Sequence, residues 1–133
     1  MKIAAVIPAR YDSSRFEGKV LARKTGKYLV EHTYEQVLCA GRVDRVIIAT
    51  DSEKVLRACD SFGAECVMTS PDHKSGTDRI AEVAADIEAD IIVNVQADEP
   101  LIDPATVDLA AQILIAQSEC VMGTIVSDFE TAE

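Results

Sequence analysis

At 133 residues, 48% hydrophobic and 27% charged, the chain has the size and composition of one globular domain and is short for a complete α/β enzyme. Its net charge of −10, from 23 acidic and 13 basic residues, argues against nucleic acid or anionic lipid as a partner, and no apolar run approaches the ~18 residues of a membrane span. The opening stretch Met1 to Pro8 is too short for a secretory signal and has no small-residue cleavage site, so it is read as a strand.

That first strand, Lys2 to Pro8, runs into a long loop, "PARYDSSRFEGKVL", ending at Leu21. Spacing then predicts a helix from Leu29 to Ala40 with Leu29, Val30, Thr33, Val37 and Leu38 inward, a strand from Asp44 to Thr50, and a helix from Ser52 to Phe62 with Val55, Leu56, Cys59 and Phe62 inward. A strand from Ala64 to Thr69, a helix from Gly76 to Ile87, a strand from Asp90 to Val95 and a helix opened by Asp103-Pro104 follow, the last with Val107, Ala111, Leu114 and Ile115 inward. Cys120 to Ser127 closes the pattern as a fifth strand. Short β-branched runs alternating with helices predict an α/β fold, a mostly parallel sheet with helices on both faces, and put the chemistry in the loops after Ile7, Ala49, Val67 and Val95.

The first of those loops is not a phosphate-binding P-loop: Ser13 stands where the first glycine is needed and Val20 where serine or threonine is needed. There is no G-x-G-x-x-G either. What it holds is positive charge, Arg10, Arg15 and Lys19, followed closely by Arg23, Lys24 and Lys27, with only Asp12 and Glu17 as acids across these eighteen positions. Guanidinium forks and a lysine, with Ser13 and Ser14 beside them, suit a polyphosphate; a solvated basic loop is the plain alternative. The third loop, "TSPDHKSGTDR", leads into a helix start where Ser75 can cap, and where the first-turn amides with Arg79 suit an anion or the edge of a base. The lone His73 gains no role from the sequence.

The fourth loop follows "IIVNVQADEP". A buried strand that ends in Asp98 and Glu99 delivers carboxylate to the crevice, where a bare charge is costly to desolvate and asks for a cation. Magnesium escorting a nucleoside triphosphate fits, because it takes one or two carboxylates plus phosphate oxygens and keeps several waters; a turn or cap is the alternative. The four cysteines, Cys39, Cys59, Cys66 and Cys120, show no metal-ligand spacing and read as thiols in a reducing cytoplasm.

The stretches "IPARYDSSRFEGKVL", "ATD" at Ala49 to Asp51, "HKSGTDR" at His73 to Arg79 and "NVQADEP" at Asn94 to Pro100 resemble, in order and spacing, the motifs of the 3-deoxy-manno-octulosonate (Kdo) cytidylyltransferases. The resemblance runs over essentially the whole chain, and the second pair resembles this subfamily more than the sialic acid cytidylyltransferases. It implies a Rossmann-like nucleotidyltransferase fold over 1–133 and the reaction of CTP with Kdo to give CMP-Kdo and pyrophosphate for lipopolysaccharide biosynthesis. It also implies roles: Arg10 and Lys19 on the triphosphate, with Ser13 and Arg15 in the same loop; Ser75, Arg79 and backbone near Ala9 on cytosine; Gln96 between base, ribose and sugar; Asp98 on magnesium. Sibling enzymes for another sugar acid, such as the 8-amino analogue of Kdo or a sialic acid, and a catalytically dead nucleotide-binding remnant are the alternatives.

Three departures from the family pattern stand out. Glu17 and Val20 occupy positions usually held by proline, which questions the rigidity of the first loop. Ala97 replaces a glycine, so a positive φ there would be strained by about a kcal/mol or more. Family members are nearly twice as long, and the part with no counterpart here supplies most of the sugar site, a second metal-binding aspartate and the homodimer interface. The chain is therefore expected to be the amino-terminal, nucleotide-binding portion.

Overall fold

Runs rich in Val, Ile and Ala form the strands β1 (Ile3–Pro8), β2 (Arg45–Thr50), β3 (Cys66–Met68), β4 (Ile91–Asn94) and β5 (Met122–Thr124). Four helices alternate with them: α1 (Leu29–Leu38), α2 (Glu53–Ser61), α3 (Gly76–Asp86) and α4 (Pro104–Ala116). This computed structural model describes residues 2–11, 18–23, 25–73, 75–116 and 122–124. The predicted order of elements holds, with the first four strands each trimmed at one end or both. Ser13 and Arg15 lie outside the described residues, as does most of the predicted last strand.

The strand order is β3-β2-β1-β4-β5 and all four pairings are parallel. Every residue of β1 is buried, as a central strand covered on two sides requires. Successive side chains point to opposite faces: Ile3, Ala5 and Ile7 join Val30 and Val37 of α1, Val55 and Cys59 of α2, and Val107, Ala111 and Leu114 of α4 in one core. Val6 joins Ile47, Ala49 and Ile92 under Ile80 and Val83 of α3 in the other. Both faces are thus covered, three helices against one. No helix among the described residues is long and apolar enough to cross a membrane.

Two inward assignments fail. Leu38 is exposed because it ends α1 one step of rotation away from the buried stripe of Val30, Thr33 and Val37. Ile115 is exposed too: α4 also carries Leu109 and Ile113 outward, so its apolar residues occur on most faces and their spacing does not select the one that meets the sheet. The start of α4 is as expected, with Asp103 Oδ1 accepting from the Ala105 amide at 2.9 Å ahead of Pro104.

The topology fixes where a ligand can sit. The chain winds outward from β1 through β2 to β3, then returns to the other side of β1 for β4 and β5. The loops after β1 and β4 therefore diverge, leaving a crevice at the carboxyl ends of these two neighbouring strands.

Candidate functional site

At that crevice is a cleft of about 180 Å³. Pro8 and Arg10 reach it from β1, Lys19 and Val20 from a 3-10 turn (Lys19–Leu21), Gly76 from the start of α3, and Gln96, Ala97 and Asp98 from the loop after β4. Its size is below the ~300–1,000 Å³ of a complete small-molecule site, so it has room for part of a nucleotide-sized ligand.

The described part of the basic loop is held at both ends. Tyr11 accepts a 2.6 Å hydrogen bond through its carbonyl from the Gly18 amide, which closes the loop at its neck. Gly18 has a φ of 73°, and a side chain there would meet the Tyr11 ring at 3.0 Å, so the closure needs glycine on both counts. Val20 is buried in the same core as Ala97 and Ile102, which fastens the 3-10 turn from below. On this side of the loop a buried valine supplies the fixing for which the family pattern uses proline.

Lys19 Nζ lies 3.2 Å from Asp98 Oδ2, each side chain about half exposed at the mouth of the cleft. This is the cation that the sequence demands for the carboxylate: within the protein, lysine meets it. Arg10 is exposed on the same rim. Glu99 is half-buried beside Asp98, and burial, then the Asp98 charge, push its carboxyl above the usual range. Among the described residues no three His, Cys, Asp or Glu side chains converge as a metal cage. One exposed carboxylate with a second next to it still fits magnesium, which draws most of its ligands from phosphates and water.

Ala97 is buried, and no non-glycine residue among those described has a positive φ, so the expected strain at Ala97 is absent. Its carbonyl accepts a 2.8 Å hydrogen bond from Thr33 Oγ1, which is fully buried on α1. The hydroxyl also lies 3.3 Å from the Leu29 carbonyl, but it has one proton, and the shorter contact to Ala97 takes it. One turn along α1, Gln36 Nε2 donates to the Ile102 carbonyl at 2.9 Å. Asp98 and Glu99 thus stand in a loop tied to α1 on either side. Thr33 was legible as inward, but nothing in the sequence shows what its hydroxyl meets.

The third loop meets the cleft through Gly76. A Cβ there would lie 3.1 Å from Pro8 Cγ, so glycine lets the start of α3 close on the end of β1. Ser75 is exposed and caps α3, accepting from the Asp78 amide at 3.1 Å. Ala9 is fully buried and its amide donates to the Ala49 carbonyl. Gln96 is exposed, with its amide 3.4 Å from Asn94 Oδ1.

Arg79 does not reach the cleft surface. Its side chain is fully buried, donates to Thr69 Oγ1 and to the Ser70 carbonyl, and lies 3.6 Å from Asp51 Oδ2, while Nε and Nη2 have no hydrogen-bond partner among the described residues. His73 gains a partner: it lies 2.7 Å from Glu82 Oε1, which also accepts from the Ser70 amide. The Ser70 amide, then His73, hold the Glu82 carboxyl below the usual range. The third loop is thereby fastened to α3 by Arg79 and Glu82.

A family model described as "Cytidylyltransferase" matches residues 4–133. The chain is 56% identical over 125 residues to the 3-deoxy-manno-octulosonate cytidylyltransferase of Geotalea daltonii, an alignment covering 94% of this chain and 49% of that protein. It spans about half the length of the curated relatives it matches. Among solved structures, a CMP:2-keto-3-deoxy-manno-octonic acid synthetase complexed with CTP superposes with a TM-score of 0.86 at 44% identity, over 89% of this chain and 49% of that one. Rv0371C of Mycobacterium tuberculosis, solved with manganese, shares the fold with a TM-score of 0.67 at 20% identity, over 87% of this chain and 61% of that one.

Proposed function

Since the chain belongs to the cytidylyltransferase family, we propose that it forms the CTP-binding half of an enzyme that transfers CMP to 3-deoxy-manno-octulosonate, releasing pyrophosphate. The observation that carries this is the Lys19–Asp98 pair, 3.2 Å apart at the mouth of a cleft otherwise rimmed by Arg10 and Gln96. A lysine and a carboxylate that face each other in solvent gain little from one another, because such exposed pairs are worth about 0–1 kcal/mol. Both are free to exchange partners when a triphosphate and a divalent cation arrive together.

In this proposal Arg10 and Lys19 take the phosphate oxygens, with Ser13 and Arg15 from the same loop. Charge-assisted bonds from a guanidinium fork and an ammonium offset the charge that grows on the leaving pyrophosphate as the anomeric hydroxyl of the sugar attacks the α-phosphorus in line. Asp98 holds magnesium, which when bound neutralises phosphate charge. In the same proposal Ser75, at the start of α3, and backbone near Ala9 read cytosine. Arg79 acts there through Thr69 and Ser70, which it hydrogen-bonds, and Gln96 lies between nucleotide and sugar. In this proposal the sugar site and the homodimer contacts belong to the half of the relatives that has no counterpart here, and the enzyme works in the cytoplasm.

Calorimetric titration of the chain tests the nucleotide half of this function. Saturable binding of CTP with magnesium, lost in Asp98→Asn, is expected; equal affinity for all four ribonucleoside triphosphates, or no binding, overturns it. Pyrophosphate release from CTP and Kdo, by the chain continued with the remaining half of the Geotalea daltonii relative, tests the acceptor. Release with a sialic acid or 8-amino-Kdo instead of Kdo reassigns it.

A further inference from the structure

We infer that Thr33 is a positioning residue for the metal-binding carboxylate: its hydroxyl, through the Ala97 carbonyl, sets where Asp98 stands in the crevice. The assignment rests on the nucleotide and metal binding proposed above.

Thr33 is the one polar residue in the buried stripe of α1, between Val30 and Val37. A hydroxyl placed there needs a partner, because an unbonded polar group in an apolar core is costly. Its own helix offers the Leu29 carbonyl at 3.3 Å, yet the closer acceptor is the Ala97 carbonyl at 2.8 Å, 64 positions along the chain. A residue serving only its helix would bond its own preceding turn. Here the bond instead crosses from α1 to the loop after β4.

The peptide that Thr33 holds is the one joining Ala97 to Asp98. Fixing that carbonyl fixes the plane of the peptide and hence the Asp98 Cα, whose side chain carries the charge facing Lys19. Gln36 holds the far side of the same loop at Ile102. Between the two anchors, Leu101 is 90% exposed, so local packing does little to fix the stretch. A metal that takes most of its ligands from substrate depends on that carboxylate being already in place, because among the described residues no protein cage gathers round it.

The test uses Thr33→Val, which keeps the shape of the side chain and removes the hydroxyl, and Thr33→Ser, which keeps the hydroxyl. Manganese affinity is titrated by its relaxation signal with CTP present, and CTP affinity is measured without metal. Loss of a partner one shell from a ligand typically weakens metal binding by about 10- to 100-fold. Thr33→Val is expected to weaken manganese about tenfold while CTP affinity without metal stays within twofold, and Thr33→Ser to restore the metal affinity. A merely structural role would lower the melting temperature of both variants and leave the ratio of the two affinities unchanged; that outcome overturns the inference. Should Thr33→Val not fold, Gln36→Met, which releases the other anchor, is expected to weaken manganese severalfold with the same selectivity, and an unchanged affinity there counts against the inference. If the unsubstituted chain binds CTP but never manganese, or binds neither, the function proposed for the cleft fails first and the role of Thr33 with it.

Discussion

The two ends of the sheet present opposite uses of charge. At the amino-terminal end is the larger cleft, about 620 Å³, lined in part by Lys2, Asp44, Arg45, Asp86 and Glu88. Four of these five charged groups, all but Asp86, end on the protein itself. Asp44 accepts from the Ile3 amide at 2.8 Å, Asp90 from the Lys2 amide at 2.7 Å, Lys2 pairs with Glu88, and Arg45 reaches Glu65 through two bonds. At the carboxyl-terminal end the cleft is about 180 Å³, and there Lys19 and Asp98 pair at its half-exposed mouth with no backbone partner for either charge among the described residues. Volume is thus a poor guide to a site. Carboxylates spent on strand amides pin the sheet, whereas charges with no backbone partner remain free for a ligand.

Arg79 is the exception to this comparison, and the contrast sharpens most if Arg79 proves dispensable. It is the one fully buried charge at the carboxyl end among the described residues, and the only carboxylate among them within 4 Å of it is Asp51, at 3.6 Å. Removing one member of a buried pair costs about 3–5 kcal/mol because the other is left uncompensated. Asp51 keeps some contact with solvent, so Arg79→Met is expected at the low end, about 3 kcal/mol in urea denaturation. Arg79→Met with Asp51→Asn should recover part of that loss. A loss below about 1 kcal/mol would mean that the third loop stands without the guanidinium and that no charge at this end is structural.

A matched pair of substitutions sharpens the contrast. Lys19→Ala removes an exposed partner worth at most about 1 kcal/mol of folding stability. It is expected to weaken CTP binding about tenfold, since a hydrogen bond to a charged group contributes about 1.5–3 kcal/mol. Asp44→Ala should do the reverse, with a stability loss of about 1 kcal/mol from the unbonded Ile3 amide and unchanged CTP affinity. Equal effects of the two on binding would erase the distinction between the ends.

The frame of this division was legible in the sequence. Alternating β-branched and amphipathic segments place the loops after β1 and β4 at one edge, and Lys19 and Asp98, 79 positions apart, do meet there. Periodicity failed where it carries no information: α4 is apolar on most faces, so Ile115 looked inward. Spacing also reports residue types and not partners. It could not show that Arg79 is spent inside the third loop, that Ala97 sits without a positive φ and has its carbonyl bonded by Thr33, or that Val20 is buried in a turn whose family pattern has proline. Those depend on contacts between segments far apart in sequence.

The smallest expected effect separates the two ends by salt and pH. Glu65 at the amino end is held below the usual carboxyl range chiefly by its hydrogen bond from Arg45, and Glu82 at the carboxyl end chiefly by the Ser70 amide. For both, the folded value is depressed. Their contribution to stability is therefore complete above the unfolded carboxyl value of about 4.3 and is lost as pH falls through the lowered folded value. Glu65→Gln and Glu82→Gln should each flatten the acid limb of a thermal-unfolding profile between about pH 5 and 2. The two should part company in salt. The Arg45–Glu65 pair is half exposed and at 1 M salt the screening length falls to about 3 Å, so the effect of Glu65→Gln shrinks. A carboxylate bonded to a backbone amide depends on short-range geometry rather than on a distant charge, so the effect of Glu82→Gln should persist. Equal salt sensitivity would show that Glu82 owes its shift to His73 and not to the Ser70 amide, and that the third loop is held by an ion pair like those at the other end of the sheet.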